Sequence, residues 1–280
     1  MAYTRSVIIT GGTINLGYHT ALQIARQHPD WLIVISSRSD HERAAESINK
    51  TLGQNNVVLI PLDLSESKSI RAYAQEWSSK NYPPIQALLL NAALQFPDSG
   101  THDPAMKSGL PDAIYTSAEE LARPPPVIAN GPGRRHYANS KLANIMWTYA
   151  LHKHLNQRIP DRGITVNAFD PGLMPGSGLA REYSPLLRFV WNKIMPRTMP
   201  LLRAVFTPNI HKPSESAASL VRLATADDVA GVSGKYFEGP KEIRSSKASY
   251  DEKKQDDLWQ WTVKYCAQDE AEAARFEEFK

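Results

Sequence analysis

The chain has 280 residues, of which 42% are hydrophobic and 22% charged, an ordinary composition for a soluble globular protein. Its 32 basic and 29 acidic residues leave a net charge of +3, too balanced to predict binding to nucleic acid or a general attraction to membranes. Cys266 is the only cysteine, which excludes an intrachain disulfide framework and a thiolate metal cluster.

Neither the histidines nor the hydropathy pattern predicts a metal site or a membrane span. The eight histidines contain no pair at the spacing of a zinc motif, so we predict no metal. No stretch reaches the ~18 apolar residues of a spanning helix, and the run at 7–9 is too short for a signal sequence. Together with the single cysteine, these features favour a cytoplasmic protein.

The first predicted elements are a strand, a glycine-containing turn and a helix. The strand covers residues 7–10, Gly11 and Gly17 flank the turn, and an apolar helical pattern covers 18–28. In this arrangement backbone N–H groups and the helix dipole face an anion, and glycine lets a pyrophosphate approach closely. The spacing differs from G-x-G-x-x-G, and glycine turns between strands and helices are common, so this loop alone is a weak indication.

The second predicted strand, residues 31–36, is followed by Arg38. No acidic residue lies between positions 31 and 39. In dinucleotide-binding folds an acid here binds the ribose 2′-hydroxyl, whereas an arginine accommodates a 2′-phosphate. Arg38 therefore favours NADP over NAD, the alternative being an exposed arginine in a loop.

Strands and helices alternate as far as residue 90. After the second strand come helix, strand, helix and strand, at 40–52, 57–60, 67–77 and 85–90. This regular alternation predicts an α/β fold with a Rossmann-like, doubly wound parallel sheet. Asp63 and Asn91 follow two of these strands, at the edge where such sheets bind ligands.

The alternation stops between residues 92 and 136. Prolines interrupt this stretch, and only residues 117–122 indicate a short helix. A loop of this length inside a compact domain signals function, disorder or a wrong assignment.

The longest helical pattern, residues 136–156, carries Tyr137 and Lys141 one turn apart, with Asn144 on the same face. Tyrosine has a reference pKa of about 10 and is a poor acid–base at neutral pH. An ammonium one turn away is expected to lower that pKa toward the range where proton transfer is efficient. Tyr-x-x-x-Lys occurs by chance in many helices, so the pair needs support from the rest of the chain.

The C-terminal part continues with a strand at 164–169, which ends in Asp170-Pro171-Gly172. The apolar stretch 186–206 also carries basic residues. We predict that it lines a substrate pocket within a lid region at 173–230, because two prolines break any long helix. Weak association of this stretch with a membrane surface is the alternative. We assign the whole chain, 1–280, to one domain.

Five short motifs on these elements together resemble the short-chain dehydrogenase/reductase family. In chain order they are Thr10-Gly11 with Gly17, Asp63-Leu64, Asn91-Ala92-Ala93, Tyr137 to Lys141, and Pro171-Gly172. The spelling Tyr-x-x-Ser-Lys-x-x-Asn is most similar to the protochlorophyllide-reductase and retinol-dehydrogenase branch. The resemblance covers most of residues 5–240, and the chain's general character also resembles reductases of specialised-metabolite pathways.

The resemblance implies an NADP(H)-dependent oxidoreductase that interconverts a carbonyl and an alcohol on a small organic substrate. Tyr137 would be the proton donor or acceptor, Lys141 would bind the nicotinamide ribose, and Ser99 would hydrogen-bond the same substrate oxygen. The residues implied in cofactor binding are Gly11, Asn15, Leu16, Gly17, Arg38, Asp63, Asn91, Tyr137, Lys141 and Ser177. Partners would be the small-molecule substrate and, in a homo-oligomer, further copies of the chain, with no nucleic acid.

Two departures from the family pattern stand out. Asn15 occupies the position of a loop glycine, and asparagine tolerates a left-handed backbone better than most residues. Only seven residues, 92–98, separate Asn91 from Ser99, whereas a parallel crossover needs at least about 10–12 and a full βαβ unit about 30. We therefore predict that one central helix–strand unit is missing.

Three structural outcomes of this missing unit stay open. The sheet closes up, another segment such as 126–129 fills the gap, or the domain is unstable. The alternative function is accordingly a catalytically impaired or inactive relative, or the product of an altered gene model.

Overall fold

A computed structural model describes residues 3–93, 111–131, 133–177 and 184–279. The chain divides into two compact units: Met1–Leu94 with Pro171–Val229 form unit 1, and Gln95–Asp170 with Ala230–Lys280 form unit 2. Ser99 lies outside the described residues. The single-domain organisation stays a prediction.

The described residues form seven strands, eleven α-helices and a few short turns of other helices. The strands are β1 (Arg5–Thr10), β2 (Trp31–Ser36), β3 (Val57–Leu59), β4 (Ile85–Leu89), β5 (Asn167–Asp170), β6 (Lys235–Glu238) and β7 (Lys241–Ile243). The α-helices are α1 (Asn15–Gln27), α2 (Ala44–Leu52), α3 (Ser67–Ser79), α4 (Ala118–Ala122), α5 (Pro126–Ala129), α6 (Gly133–Arg158), α7 (Pro185–Phe189), α8 (Met199–Val205), α9 (Pro213–Thr225), α10 (Glu252–Cys266) and α11 (Glu270–Glu278). Short 3₁₀ turns cover Pro160–Arg162, Asp227–Val229 and Lys247–Tyr250, and a π-helical turn covers Val190–Ile194.

Unit 1 is built on a four-stranded parallel sheet in the order β3-β2-β1-β4. Ile9 of β1 and Ile33 of β2 are fully buried, as are Ile24 of α1 and Ile48 of α2, which pack in the same cluster. Each such side chain contributes about 1.5–3 kcal/mol on leaving water. The nearly continuous apolar runs of β1 and β2 are typical of strands covered on both faces. The predicted α/β fold with a parallel sheet flanked by helices is confirmed.

The four-stranded sheet ends at β4, directly before the short 92–98 connection. Within the described part of the chain, β4 pairs with β1 alone, and Leu88 is 55% exposed. Residues 126–129 do not supply a neighbouring strand, because they form α5, in which Val127 is 84% exposed. That suggested replacement is wrong, and among the described residues no strand pairs with the other edge of β4.

Unit 2 combines a three-stranded sheet with long helices. β5 and β6 are parallel, and β7 returns antiparallel to β6. The apolar stripe of α6 packs on α10, where Leu142 and Met146 meet Leu258. The helix α6 begins at Gly133, three residues before the predicted start, and neither α10 nor β7 was expected. Among the described residues, no helix is both long enough and apolar enough to cross a membrane.

A partly buried histidine in unit 2, His154, predicts that stability depends on pH. The His154 ring stacks on Trp259 at 4.1 Å between centroids, and both ring nitrogens are buried without a hydrogen-bond partner among the described residues. Burial lowers the pKa of His154 from its ordinary 6.5, so the unfolded chain takes up a proton at a higher pH than the folded chain. The stabilising effect of the neutral ring is therefore complete above about pH 6.5 and is lost as the pH falls.

Urea unfolding measured between pH 7.5 and 5 checks this expectation. The free energy of unfolding should fall with pH below about 6.5, and His154→Phe, which keeps an aromatic ring against Trp259, should flatten that slope. An equally steep slope in the variant would show that other groups cause it.

Candidate functional site

The glycine turn after β1 is packed too closely for any other residue. Gly11 has a φ of +65°, and a Cβ added there would lie 3.0 Å from the Ala92 Cα. A Cβ on Gly17 would press on the backbone carbonyl of Gly11 and lie 2.8 Å from the Asn91 Nδ2. The turn and the start of α1 are thus held backbone against backbone, as a turn that lets a pyrophosphate approach requires.

Asn91 ties the end of β4 to this turn. Its side-chain amide donates to the carbonyl oxygens of Thr10 at 2.9 Å and Gly11 at 3.2 Å. The Thr10 hydroxyl in return accepts from the N–H groups of Asn91 and Ala92, at 3.0 and 3.1 Å. The structure therefore places Asn91 in contact with the turn, as a residue that shapes it.

The N-terminus of α1 has the features of an anion-binding site. Asn15, its first residue, has a φ of 49°, the left-handed conformation that a loop glycine would adopt. No side chain caps this end, and its first turn contains no acidic residue. The first N–H groups of a helix have no intrahelical acceptor, and the dipole adds positive potential there. Leu16, the second residue of α1, is buried and anchors the turn in the core.

Arg38 and Asp63 lie beyond β2 and β3 and influence each other electrostatically. Arg38 is exposed. Asp63 accepts hydrogen bonds from the Ser65 N–H at 2.9 Å and the Ser65 hydroxyl at 2.7 Å. These bonds, and to a smaller extent Arg38, hold the pKa of the Asp63 carboxyl below its usual value. The arrangement offers one cationic and one anionic group at the carboxyl edge of the sheet.

Ser177 and the Pro171-Gly172 turn lie in the second segment of unit 1. Gly172 has a φ of +74°, and a Cβ there would lie 2.7 Å from the Asn209 carbonyl oxygen. Ser177 is 5% exposed, and its hydroxyl has no hydrogen-bond partner within the described ranges. A buried hydroxyl without a partner costs free energy unless a ligand or water satisfies it.

These features of unit 1 fit a dinucleotide. The turn would clash with any added Cβ, the helix end presents free N–H groups, and Ser177 holds an unsatisfied hydroxyl. Arg38 supplies a positive charge at the distance along the chain where a ribose or its phosphate is recognised.

Tyr137 and Lys141 lie one turn apart on α6, and both are partly buried. The Lys141 Nζ lies 5.2 Å from the centre of the Tyr137 ring, a cation–π distance. The neighbouring Ala138 and Leu142 are buried and fix this turn of the helix in the core. Asn144, predicted on the same face, is exposed.

The predicted lowering of the Tyr137 pKa by Lys141 is wrong for the chain without a ligand. Burial, and after it the Asp170 carboxylate, raise the pKa of Tyr137. Burial also lowers the pKa of Lys141, while Asp170 opposes that change. Desolvation of two partly buried groups outweighs the charge of the lysine, whose Nζ is near the ring centre.

Asp170 was not predicted as a site residue. In the sequence it is the residue before a Pro-Gly turn, yet its carboxylate shifts the pKa of both Tyr137 and Lys141. An acid at the carboxyl end of a strand was the available signal, the same one that pointed to Asp63 and Asn91.

Comparisons with known proteins agree with this geometry. The family model for short chain dehydrogenases matches residues 5–109. Retinol dehydrogenase 12 of Mus musculus is 28% identical, covering 90% of this chain and 83% of its own. Dehydrogenase/reductase SDR family member 13 of Bos taurus is 25% identical, covering 98% and 76%. The fold resembles that of 3-oxoacyl-[acyl-carrier protein] reductase from Brucella melitensis in complex with NAD, with a TM-score of 0.57, 15% identity and coverage of 85% and 96%.

The two sequence alignments also run over more positions than this chain fills. The alignment with the mouse protein runs over 282 positions, whereas 90% of this 280-residue chain is about 252 residues, so about 30 positions have no residue here. The alignment with the cattle protein runs over 303 positions and 98% of the chain, about 274 residues, which leaves about 29. The chain is thus similar to short-chain dehydrogenases over residues 5–109 and, over most of its length, to relatives that include retinol dehydrogenases.

Proposed function

We propose that this chain is an NADP(H)-dependent oxidoreductase that interconverts a carbonyl and an alcohol on a small organic substrate. The observation that carries the proposal is the partly buried Tyr137–Lys141 pair, in a chain whose unit 1 contains a turn fitted to a dinucleotide. A bound nicotinamide supplies the hydride. Tyr137 donates a proton to the carbonyl oxygen in reduction and accepts it in oxidation, and the resemblance assigns Ser99, outside the described residues, to the same oxygen.

The raised pKa of Tyr137 suits it to proton donation. Because burial and Asp170 disfavour the phenolate, the hydroxyl stays protonated and can donate its proton to a substrate oxygen. The Lys141 ammonium would bind the nicotinamide ribose and offset the negative charge that develops on the tyrosine oxygen. The residues that would hold the pyrophosphate through backbone N–H groups are Gly11, Asn15, Leu16 and Gly17, and Ser177 would bind near the carboxamide or pyrophosphate.

The preference for NADP rests on Arg38. It is exposed, and its charge acts on the Asp63 carboxylate, which we assign to the adenine side. The similar reductase from Brucella melitensis was solved with NAD, so the fold alone does not choose between the two cofactors. An arginine after the second strand pairs with a 2′-phosphate, which NAD lacks.

Arg38→Ala should weaken NADPH binding by about tenfold or more and leave NADH binding within about twofold. A hydrogen bond to a charged group contributes about 1.5–3 kcal/mol, and tenfold in affinity is about 1.4 kcal/mol. Titrations of protein fluorescence with each dinucleotide measure both constants. Arg43→Ala, which removes another exposed arginine paired with Glu46, is the matched control. Equal losses for NADPH and NADH would contradict the assignment.

The names of the relatives support a proposal for the substrate class. Both sequence relatives are named dehydrogenases, one of them a retinol dehydrogenase, which favours an apolar alcohol or aldehyde. The lid region at 173–230 would meet such a substrate with α7 and α8, whose Leu186 and Leu201 are exposed. The indicated specialised-metabolite pathway finds no support in these names. A homo-oligomer, weak membrane-surface association and a cytoplasmic location stay predictions.

Absorbance at 340 nm tests the function directly. The chain is incubated with NADPH and a panel of retinoid and aliphatic aldehydes, and in the reverse direction with NADP and the alcohols. Consumption of NADPH that depends on an aldehyde supports the proposal, and NADPH binding without turnover on the whole panel rejects it.

A catalytically impaired relative is the second candidate. The short connection between Asn91 and Ser99 favours it, and among the described residues β4 pairs with β1 alone. It predicts NADPH binding without turnover, or a chain that does not fold stably. Thermal unfolding with and without NADPH separates the two outcomes, because a ligand that binds only the folded chain raises its melting temperature.

A further inference from the structure

The residue after the Pro-Gly turn of unit 1 is held by a segment that lies just before α9. The Leu173 N–H donates to the Asn209 carbonyl at 2.9 Å, and the His211 N–H donates to the Leu173 carbonyl at 2.9 Å. These two bonds form a parallel bridge between Leu173 and Ile210, and Ile210 is 1% exposed. The Pro-Gly turn therefore leads directly into a buried backbone bridge.

The first turn of α9 holds the proline of the same turn. The buried Ser216 hydroxyl donates to the Pro171 carbonyl at 2.7 Å. The Gln23 side-chain amide of α1 donates to the Ser214 carbonyl at 2.9 Å, and α9 packs along α1. The Pro-Gly turn is thus fixed relative to the helix whose N-terminus presents free N–H groups.

Arg203 joins α8 to this support, with all contacts inside unit 1. Its Nε donates to the Ile210 carbonyl at 2.6 Å, and its Nη2 donates to Glu215 Oε2 at 2.5 Å. The same Oε2 accepts the Lys212 N–H at 2.9 Å at the start of α9. The planar guanidinium can bond a carbonyl and a carboxylate at once, which the single ammonium of a lysine cannot do in the same geometry.

Helix α8 depends on such contacts for its orientation. It has seven residues, whereas an isolated helix shorter than about 12 residues is marginal in water. Leu201 and Val205 are four positions apart, share one face of α8, and are 63% and 65% exposed. Arg203 is two positions from each and lies on the opposite face. Arg203 therefore holds the helix from behind while the apolar face stays open.

We propose that Arg203 is a positioning residue for an apolar substrate. It holds α8 on the segment that supports the Pro-Gly turn, so that Leu201 and Val205 are presented to the apolar chain of the substrate. The inference rests on the function proposed above, in which the lid region meets such a substrate. It adds which residue fixes the lid and through which contacts.

Arg203→Lys tests this role, because it keeps the charge and removes the fork. Steady-state rates with NADPH are measured for a long and a short aliphatic aldehyde. We expect the KM of the long aldehyde to rise about five- to tenfold with kcat within about twofold, since binding to the apolar chain is lost in ground state and transition state alike. The KM of the short aldehyde should stay within about twofold.

The same substitution at the far end of α9 is the matched control. Arg222 forms a comparable pair with Asp228, at 2.7 and 2.8 Å, and Arg222→Lys should change neither KM. A long-aldehyde KM that stays at the wild-type value in Arg203→Lys, or a rise that is equal for both aldehydes, overturns the proposal.

Hydrogen exchange followed by NMR tests the anchoring without turnover. In α8 the Leu202 and Phe206 N–H groups bond to carbonyls of the preceding turn, and they should exchange at least about fivefold faster in Arg203→Lys. The bridge amides of Leu173 and His211 should keep their wild-type rates. Unchanged exchange in α8, or equally faster exchange in the bridge, contradicts the proposal. If the wild-type chain shows no turnover, the proposed function fails, and these rates alone decide whether Arg203 holds α8.

A second variant keeps the test available if Arg203→Lys does not fold. Glu215→Gln removes the negative charge that Arg203 contacts and leaves the Ile210 carbonyl as its other acceptor. The long-aldehyde KM and the exchange of the α8 amides should rise in the same direction by a smaller amount. Wild-type values of both in a folded Glu215→Gln chain would count against the anchor.

Discussion

Tyr137→Phe should reduce kcat by about 10²–10⁴-fold or more while NADPH still binds. Proton transfer by a positioned side chain contributes a factor of this size, and phenylalanine has no proton to give. The change keeps the ring, so the Lys141 Nζ at 5.2 Å from the ring centre retains its cation–π contact. The packing of the partly buried position is also kept. Turnover and NADPH affinity are therefore expected to separate in this variant.

The matched control lies on the same helix. Tyr149 is three turns further along α6, where its hydroxyl bonds to Ser245 at 2.6 Å, and burial raises its pKa to about 12. Tyr149→Phe removes the same atom from the same kind of side chain and should leave kcat within about twofold. If Tyr137→Phe turned over as fast as the wild type, Tyr137 would not be the acid–base, and the proposed function would lose its central residue.

The pH dependence of the wild-type chain follows from the same residue. Oxidation of an alcohol requires Tyr137 without its proton, whereas reduction requires it with the proton. Because burial and Asp170 raise the pKa of Tyr137, the rate of alcohol oxidation should keep rising with pH well into the alkaline range. The rate of carbonyl reduction should stay constant over the same range and fall only as the pH approaches the raised pKa. The same tyrosine thus gives the two directions opposite pH dependences.

Local pattern was sufficient to predict the first half of unit 1. The apolar runs of β1 and β2 and the glycines between strand and helix are properties of adjacent residues, and each appears in the structure where expected. The left-handed Asn15 follows the same logic, since a turn that needs a positive φ accepts asparagine after glycine.

The features that the sequence did not predict depend on contacts between distant residues. The direction of the Tyr137 pKa shift is set by burial and by Asp170, which is 33 positions away. Neither the burial of a side chain nor such a distant charge can be read from the spacing of residues on one helix. Helix α10 was not predicted because its apolar residues do not form a clear stripe along the sequence, although Leu258 and Trp259 are buried. The short strand β7 has three residues, all exposed, and so carries no apolar pattern.

The short connection after Asn91 is the case in which the prediction rests on covalent geometry. Chain length between Asn91 and Ser99 limits what can be built there, whatever the side chains are. Among the described residues the sheet ends at β4, and the missing helix–strand unit stays a prediction. Exposed apolar side chains on an edge strand, such as Leu88 of β4, are also a known hazard for aggregation.

Gly17→Ala should weaken NADPH binding by at least about tenfold, although helix propensity alone predicts a gain. Alanine is favoured over glycine inside a helix by about 1 kcal/mol, and Gly17 is the third residue of α1. The added Cβ, however, would press on the Gly11 carbonyl and lie 2.8 Å from the Asn91 Nδ2, inside the 3.0 Å that real Cβ contacts keep. Because the nearest atom belongs to backbone, no side-chain rotation relieves the contact, and the turn must shift.

Gly53→Ala separates this effect from a general loss of stability. Gly53 has a φ of +65° with open space around its would-be Cβ, so alanine there should cost about 1–2 kcal/mol of stability through backbone conformation alone. Fluorescence titration with NADPH should show wild-type affinity for Gly53→Ala and a large loss for Gly17→Ala, each measured on protein whose circular dichroism shows it folded. Wild-type affinity in a folded Gly17→Ala chain would mean that the turn between β1 and α1 does not hold the dinucleotide.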